Sequence, residues 1–365
     1  MTDIAQISTS DEKAVETREA ARRGGRFWRY ARRVLLALVI LALAVVLCGF
    51  AYQAMETARD ARRFPQQGKS VAVGAAFGNL TLNLDCTGQG APTVVLDSGL
   101  GVPAMGWNLS QREIAKFTRV CSYDRAGYGW SSAGPMPRTS LQIAKELHAM
   151  LGAAGEKPPY ILVGHSFGGY NIRVYTGQYP SEVVGMVLVD ASHEDQQERM
   201  PPGLRAAFKK QMQQSEWQRR LAPLLIHSGF ARIASGGDDD GLPKDFGREV
   251  QYLQLQTKFV DATMSESANF AESAQQVREA GNLGDRPLIV LSAGKNVDPK
   301  LLPKDLPVTE FAEFHRIWLD ELQPAQARLS TRGKRIIVPD SDHMIPFRRP
   351  DAVVSAVREV WGAAK

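Results

Sequence analysis

Hydrophobic positions fall into short runs along most of this chain, after one long exception near its start. From Val34 to Tyr52 the residues are almost uninterruptedly apolar. At about 1.5 Å per residue such a run reaches roughly 28 Å as a helix, enough to cross a bilayer core. Beyond it, apolar runs of strand length stand at Ser70–Phe77, Leu80–Cys86, Thr93–Leu96, Phe117–Tyr123, Tyr160–Val163, Val184–Val189, Leu288–Leu291 and Lys334–Val338. The first two read as a hairpin around Gly78 and Asn79. Helical periodicity separates the later runs, as in Leu141–Ala153 with Ser140 as its N-cap and in Ala352–Trp361. Strand alternating with helix predicts an α/β fold, a mostly parallel eight-stranded sheet flanked by helices.

The length of 365 residues and 44% hydrophobic content suffice for one sizeable core after the apolar run. The net charge of +5 changes the picture only through its location, because residues 1–63 carry +4 of it. That distribution argues against nucleic acid as a partner and for a basic flank beside a membrane. Arg22, Arg23, Arg26, Arg29, Arg32 and Arg33 precede the apolar run and only Arg59, Arg62 and Arg63 follow it. The positive-inside rule then predicts a cytoplasmic segment 1–33, a transmembrane helix 34–55, a juxtamembrane linker 56–69 and a folded domain 70–365 on the periplasmic or extracellular side. A cleaved signal peptide is the competing reading, opposed by the length of the run and the lack of an A-x-A site. Export makes Cys86 and Cys121, each in a strand-like run, candidates for a disulfide; two free cysteines packed as small hydrophobes are the alternative.

The candidate chemistry centres on Gly164-His165-Ser166-Phe167-Gly168, directly after the run Tyr160–Val163 and before a helical pattern. A G-x-S-x-G sequence between strand and helix makes a tight turn that raises the serine hydroxyl and turns backbone N–H groups toward a developing oxyanion. Two further motifs follow the same order. Tyr123-Asp124-Arg125-Ala126-Gly127-Tyr128-Gly129-Trp130-Ser131 fits Y-D-x-x-G-x-G-x-S, and Asp97-Ser98-Gly99-Leu100-Gly101 is a glycine loop after the third strand. On these motifs the chain from about residue 70 resembles the serine α/β-hydrolases.

That resemblance implies a nucleophile at Ser166, an oxyanion hole from the N–H groups of Leu100 and Phe167, and a general base at His343 after the last strand. Of the other histidines, His165 adjoins the nucleophile, His148 and His315 fall in helices, and His193 and His227 lie in the intervening segment. Two residues satisfy the order for the acid: Asp190, abutting its strand, and Asp298, in the loop after the seventh. The segment of about 191–286 reads as a cap, in which Leu221, Leu224, Leu225, Ile226, Phe230 and Ile233 are expected to pack the cap onto the core or line a pocket.

The implied activity is hydrolysis of a carboxylic ester or related acyl bond in a small-molecule substrate, with no metal or organic cofactor. The carboxylates of Asp238, Asp239 and Asp240 are consecutive rather than alternating as in a calcium loop. Peptidase, carbon–carbon hydrolase and acyltransferase activities, or a silent binding role, stay open at this point.

Overall fold

A computed structural model describes residues 3–234, 244–295 and 306–364. Asp298 and the acidic run Asp238–Asp240 lie outside the described residues. The strands are β1 (Lys69–Ala72), β2 (Thr81–Thr87), β3 (Thr93–Asp97), β4 (Val120–Tyr123), β5 (Tyr160–His165), β6 (Val183–Val189), β7 (Leu288–Ala293) and β8 (Gly333–Val338). They form one sheet in the order β1-β2-β4-β3-β5-β6-β7-β8. The pairings of β1 with β2 and of β2 with β4 are antiparallel, and the rest are parallel.

The strand runs are continuously apolar because both faces of the sheet are covered. Val95, Leu162, Leu188 and Val290 face one core, and their neighbours Val94, Ile161, Val187 and Ile289 face the other. The first core is closed by α3 (Ser140–Ala154), α4 (Gly168–Gln178) and α10 (Phe270–Ala280); the second by α2 (Asn108–Ile114), α13 (Ile345–Arg348) and α14 (Pro350–Ala363). Between β6 and β7 rise α5 (Gln196–Arg199), α6 (Pro202–His227), α7 (Phe230–Ala234), α8 (Lys244–Gln254) and α9 (Thr257–Ala268), ahead of α10. A second excursion, α11 (Val308–Ile317), a π-helical turn Trp318–Leu322 and α12 (Gln323–Ala327), lies between β7 and β8. The cap expected over 191–286 thus has a further contributor from 308–322.

Local readings need four corrections. The run Ser70–Phe77 breaks after Ala72, where Gly74 at φ +100° turns the chain into a 3-10 helix over Ala75–Phe77, so the β1–β2 connection is longer than a tight hairpin turn. The strand expected from Phe117 begins only at Val120. Thr139, not Ser140, caps α3 by accepting from Gln142 N at 3.3 Å, while Ser140 Oγ donates to Asn171 Oδ1 at 2.8 Å. The linker expected at 56–69 is helical as far as Arg63, since α1 runs unbroken over Asp3–Arg63. Within α1, Tyr30–Arg63 is the one helical segment among the described residues long and apolar enough to cross a membrane, and none of its apolar window is buried within the protein.

Cys86 and Cys121 are direct partners across β2 and β4, and their sulfurs are bonded at 2.05 Å. Glu156 lies with them inside 4.8 Å, a grouping that resembles a metal site. Its ligand atoms are already committed, the two sulfurs to each other and both Glu156 oxygens to Arg119.

Candidate active site

Ser166 sits on the turn between β5 and α4 at φ +51°, in the left-handed region that non-glycine residues seldom enter. The two flanking glycines explain how the turn closes. A Cβ on Gly164 would lie 2.7 Å from the backbone of Gly168, and one on Gly168 would lie 2.4 Å from the carbonyl oxygen of Asp97. The strained residue is held from both sides, its N–H donating to Val189 O at 3.1 Å and its carbonyl accepting from Ser192 N at 3.0 Å.

His343 follows β8 on the loop toward α13, and its ring bridges two other residues. Nε2 stands 2.9 Å from Ser166 Oγ, and Nδ1 stands 2.6 Å from Asp190 Oδ2. An ionised Asp190 can only accept, so the ring proton resides on Nδ1 and Nε2 is left to accept from the serine hydroxyl. Asp190 lies one residue past β6, at φ +41°. Its other oxygen, Oδ1, accepts from Ala293 N and from Trp318 Nε1, each at 3.0 Å. The structure therefore brings Ser166, His343 and Asp190 into one hydrogen-bonded row; the alternative acid Asp298 lies outside the described residues.

Electrostatics suit this row to moving one proton. Burial alone would push the Asp190 carboxyl up, but the hydrogen bond and positive charge of His343, with the bonds from Trp318 and Ala293, hold it below the ordinary aspartate value. Burial likewise disfavours the charged His343 ring, yet Asp190 outweighs it and holds that ring above the ordinary histidine value. His165 is pushed down to about 3, first by burial and then by the charge of His343. It stays neutral and donates from Nε2 to the His343 carbonyl at 2.9 Å, pinning the loop that carries His343.

The loop Ser98–Gly101 presses against the Ser166 turn: a Cβ on Gly99 would lie 2.9 Å from His165 Nδ1 and 3.3 Å from Ser166 Cβ. Leu100 and Phe167 both line the pocket into which Ser166 opens. The Y-D-x-x-G-x-G-x-S segment holds this loop in place. Asp124 Oδ1 accepts from Ala104 N at 2.8 Å, just past the loop, and Tyr128 Oη accepts from Gly101 N at 3.1 Å. Arg125, fully buried, donates to the carbonyls of Ser98 and Gly99 at 2.6 and 2.9 Å. The same guanidinium makes a bidentate pair with Glu266 of α9, at 2.9 and 3.0 Å, and Tyr128 Oη donates to Glu266 at 2.6 Å. Glu266 therefore ties the cap to the loop beside Ser166. Replacing Glu266 by alanine leaves Arg125 with Asp97, 2.8 Å away, as its carboxylate partner but strands buried N–H and O–H donors of Arg125 and Tyr128, and we expect a loss of about 1–3 kcal/mol in stability, measured as a lowered denaturation midpoint.

Above Ser166 lies a pocket of about 880 Å³. Its walls are mainly apolar, with Met200 and Phe208 on one side, Met264 and Phe270 on another, and Phe311, Phe314 and Trp318 from the second excursion. Sequence reading missed Trp318 and this excursion, although residues 311, 314, 315 and 318 show the i, i+3, i+4, i+7 stripe of an inward-facing helix. The expected packing role of Leu221, Leu224, Phe230 and Ile233 does not hold either, since all four are exposed, while Ile226 is buried. Their surface lies at the crossing of α6 and α7 with α1, away from the core of the cap.

The sequence profile of the alpha/beta hydrolase family matches residues 94–356, from β3 to α14. YqjL of Bacillus subtilis, itself uncharacterized, is 26% identical over 277 residues, covering 76% of this chain and 86% of YqjL. YbdG of the same organism is 27% identical over 165 residues, which is 45% of this chain and 50% of YbdG. Among solved structures, an esterase from Thermogutta terrifontis has a TM-score of 0.56 at 21% identity, covering 82% of this chain and 99% of the esterase. An epoxide hydrolase has a TM-score of 0.60 at 13% identity, covering 81% of this chain and 99% of that enzyme. At these identities the structural likeness speaks to the fold.

Proposed function

The chain belongs to the alpha/beta hydrolase family, and from that premise we propose that it is a membrane-anchored serine hydrolase cleaving a carboxylic ester or related acyl bond. The observation that carries this reading is the row Asp190–His343–Ser166, with the serine at φ +51° facing an apolar pocket of about 880 Å³. His343 Nε2 takes the proton as Ser166 Oγ attacks the acyl carbon, and Asp190 stabilises the imidazolium that forms. Leu100 and Phe167 N–H groups receive the oxyanion, a donor of this kind being worth about 2.7–4 kcal/mol of barrier. The imidazolium protonates the leaving alkoxide as the carbon–oxygen bond breaks. Water, deprotonated in turn by His343, then releases the acid and restores the serine. The elbow carries serine, whereas epoxide hydrolases of this fold attack through aspartate, which favours the esterase reading over the epoxide one.

The proposed setting follows from α1 and the disulfide. By the positive-inside rule, the arginines ahead of the apolar run favour a cytoplasmic N-terminus with the catalytic domain on the other side. A Cys86–Cys121 bond suits an oxidising compartment.

A series of p-nitrophenyl esters tested on the full chain in detergent checks the activity. Ser166-dependent hydrolysis is expected, with kcat/KM rising by at most about fourfold per added methylene until the pocket is filled, as burial of about 0.8 kcal/mol per CH₂ allows. Absence of any Ser166-dependent hydrolysis across the series contradicts the reading.

A pH profile tests the base separately. His343 must be neutral to accept the serine proton, and Asp190 raises its pKa above 6.5. Activity is therefore expected to fall as pH drops through an apparent pKa above that value, and this limb moves to lower pH in Asp190→Asn.

A further inference from the structure

The outer end of α1 is docked on the cap. A Cβ built on Gly49 would lie 2.2 Å from the carbonyl oxygen of Ser228, so the two backbones meet where only glycine fits. Gly229, at φ +73°, completes the crossing, with its built Cβ 3.1 Å from the Tyr52 ring and 3.3 Å from the Gly49 carbonyl oxygen. Phe50 stacks on His227 with ring centroids 6.4 Å apart. Further along the helix, buried Arg232 of α7 donates to Gln53 Oε1 at 3.1 Å and to Asp60 Oδ2 at 2.7 Å. A buried charge is tolerated only with its partner in place, so this pair fixes α7 against α1.

The crossing sets a depth. The apolar run ends at Tyr52, and Gly49 lies three residues inside it, about 5 Å along the helix. The turn at Ser228 and Gly229 lies at the same level because it touches Gly49. Around that turn Leu224, Phe230 and Ile233 are 53%, 59% and 68% exposed, and Leu221 is exposed beside them. Of the five basic residues of α6, Arg219 and Arg220 stand next to this corner, and Arg205, Lys209 and Lys210 lie at the other end. Exposed apolar side chains flanked by arginines are the composition of an element lying in a bilayer interface.

We propose that the α6–α7 corner is a second membrane contact, in which Leu221, Leu224, Phe230 and Ile233 insert at the headgroup–acyl boundary of the anionic bilayer that α1 crosses. This inference rests on the reading of α1 as a membrane span. α6 runs from this corner to the pocket, whose wall includes its Arg205, Phe208 and Lys209, roughly 22–33 Å along the helix.

The test uses the full-length chain with Cys48→Ser, the Cys86–Cys121 bond intact, and a single environment-sensitive nitrobenzoxadiazole label. Separate proteins carry the label at Phe230→Cys, Ile233→Cys and, as a control on the exposed face of α14, Glu359→Cys. Each is reconstituted into vesicles of phosphatidylcholine and phosphatidylglycerol, and flotation first reports whether the chain is membrane-bound. At 230 and 233 we expect blue-shifted emission and at least about twofold quenching by lipids bearing a nitroxide near the headgroup, with neither change at 359. Water-like emission at all three positions in floated protein overturns the second contact while leaving the anchor intact. Shielded emission without lipid-nitroxide quenching also overturns it, because protein then covers the corner. Failure to float overturns the anchor itself, and this inference with it.

Discussion

Replacement of Ser166 by alanine is expected to lower kcat on any ester substrate by on the order of 10⁵- to 10⁶-fold, with the fold unchanged. The magnitude follows from the loss of the only side chain placed to attack from the elbow. His343 and the oxyanion loop remain, but they have no nucleophile to activate or acyl adduct to stabilise. Stability should barely change. The backbone bonds that hold this residue, to Val189 O and from Ser192 N, do not involve the hydroxyl, and alanine tolerates φ +51° about as poorly as serine does. Thermal unfolding and steady-state kinetics on the same preparation check both halves. A Ser166→Ala protein that unfolds normally and keeps more than about a tenth of the activity would remove the serine from the mechanism.

Asp190→Asn is expected to cost about 10⁴-fold in kcat, through the tautomer of His343 rather than through its position. In the native arrangement Oδ1 accepts from Ala293 N and Trp318 Nε1 while Oδ2 accepts from His343 Nδ1. The two fixed donors hold the asparagine carbonyl on their side, so the amide NH₂ faces Nδ1. That nitrogen must then accept, the ring proton moves to Nε2, and the base presents an N–H to Ser166 instead of a lone pair. Asp190→Ala adds a stability cost of about 1–3 kcal/mol for each buried donor it strands. Asp298→Asn, by contrast, is expected to change kcat by less than about twofold. Equal, small losses for both substitutions would exclude Asp190 as the orienting acid.

Those expectations show where a local pattern suffices and where it does not. The elbow was readable because its demands are local: Gly164 and Gly168 exclude Cβ atoms within a few residues of Ser166, and the preceding run is apolar because both sheet faces are covered. The sheet runs were readable for the same reason. Asp190 and Asp298 could not be separated, because the distinction depends on which strand end meets the loop of His343, a residue 153 positions away from Asp190.

Arg125 appeared only as one letter of a motif. Its role emerges from Glu266, 141 positions later in the cap. Residues 56–63 read as a linker because their charges look solvated in sequence. In the fold Asp60 is buried against Arg232, 172 positions later, and the helix continues through it. Trp318 donates to Asp190 across 128 positions, so even a visible helical stripe at 311–318 gives no sign that its last member holds that carboxylate. Leu224, Phe230 and Ile233 illustrate the converse. Their spacing suggests a core, but the surface they face is decided by the crossing of α6 with α1.

The measurement that bears most directly on the proposed mechanism is covalent capture of the nucleophile. The full-length protein is treated with a fluorophosphonate, digested and mapped by mass spectrometry. The account predicts one stoichiometric adduct on Ser166, slowed by orders of magnitude in His343→Ala and Asp190→Asn. An unmodified Ser166, or an adduct formed at the same rate without His343, would contradict it.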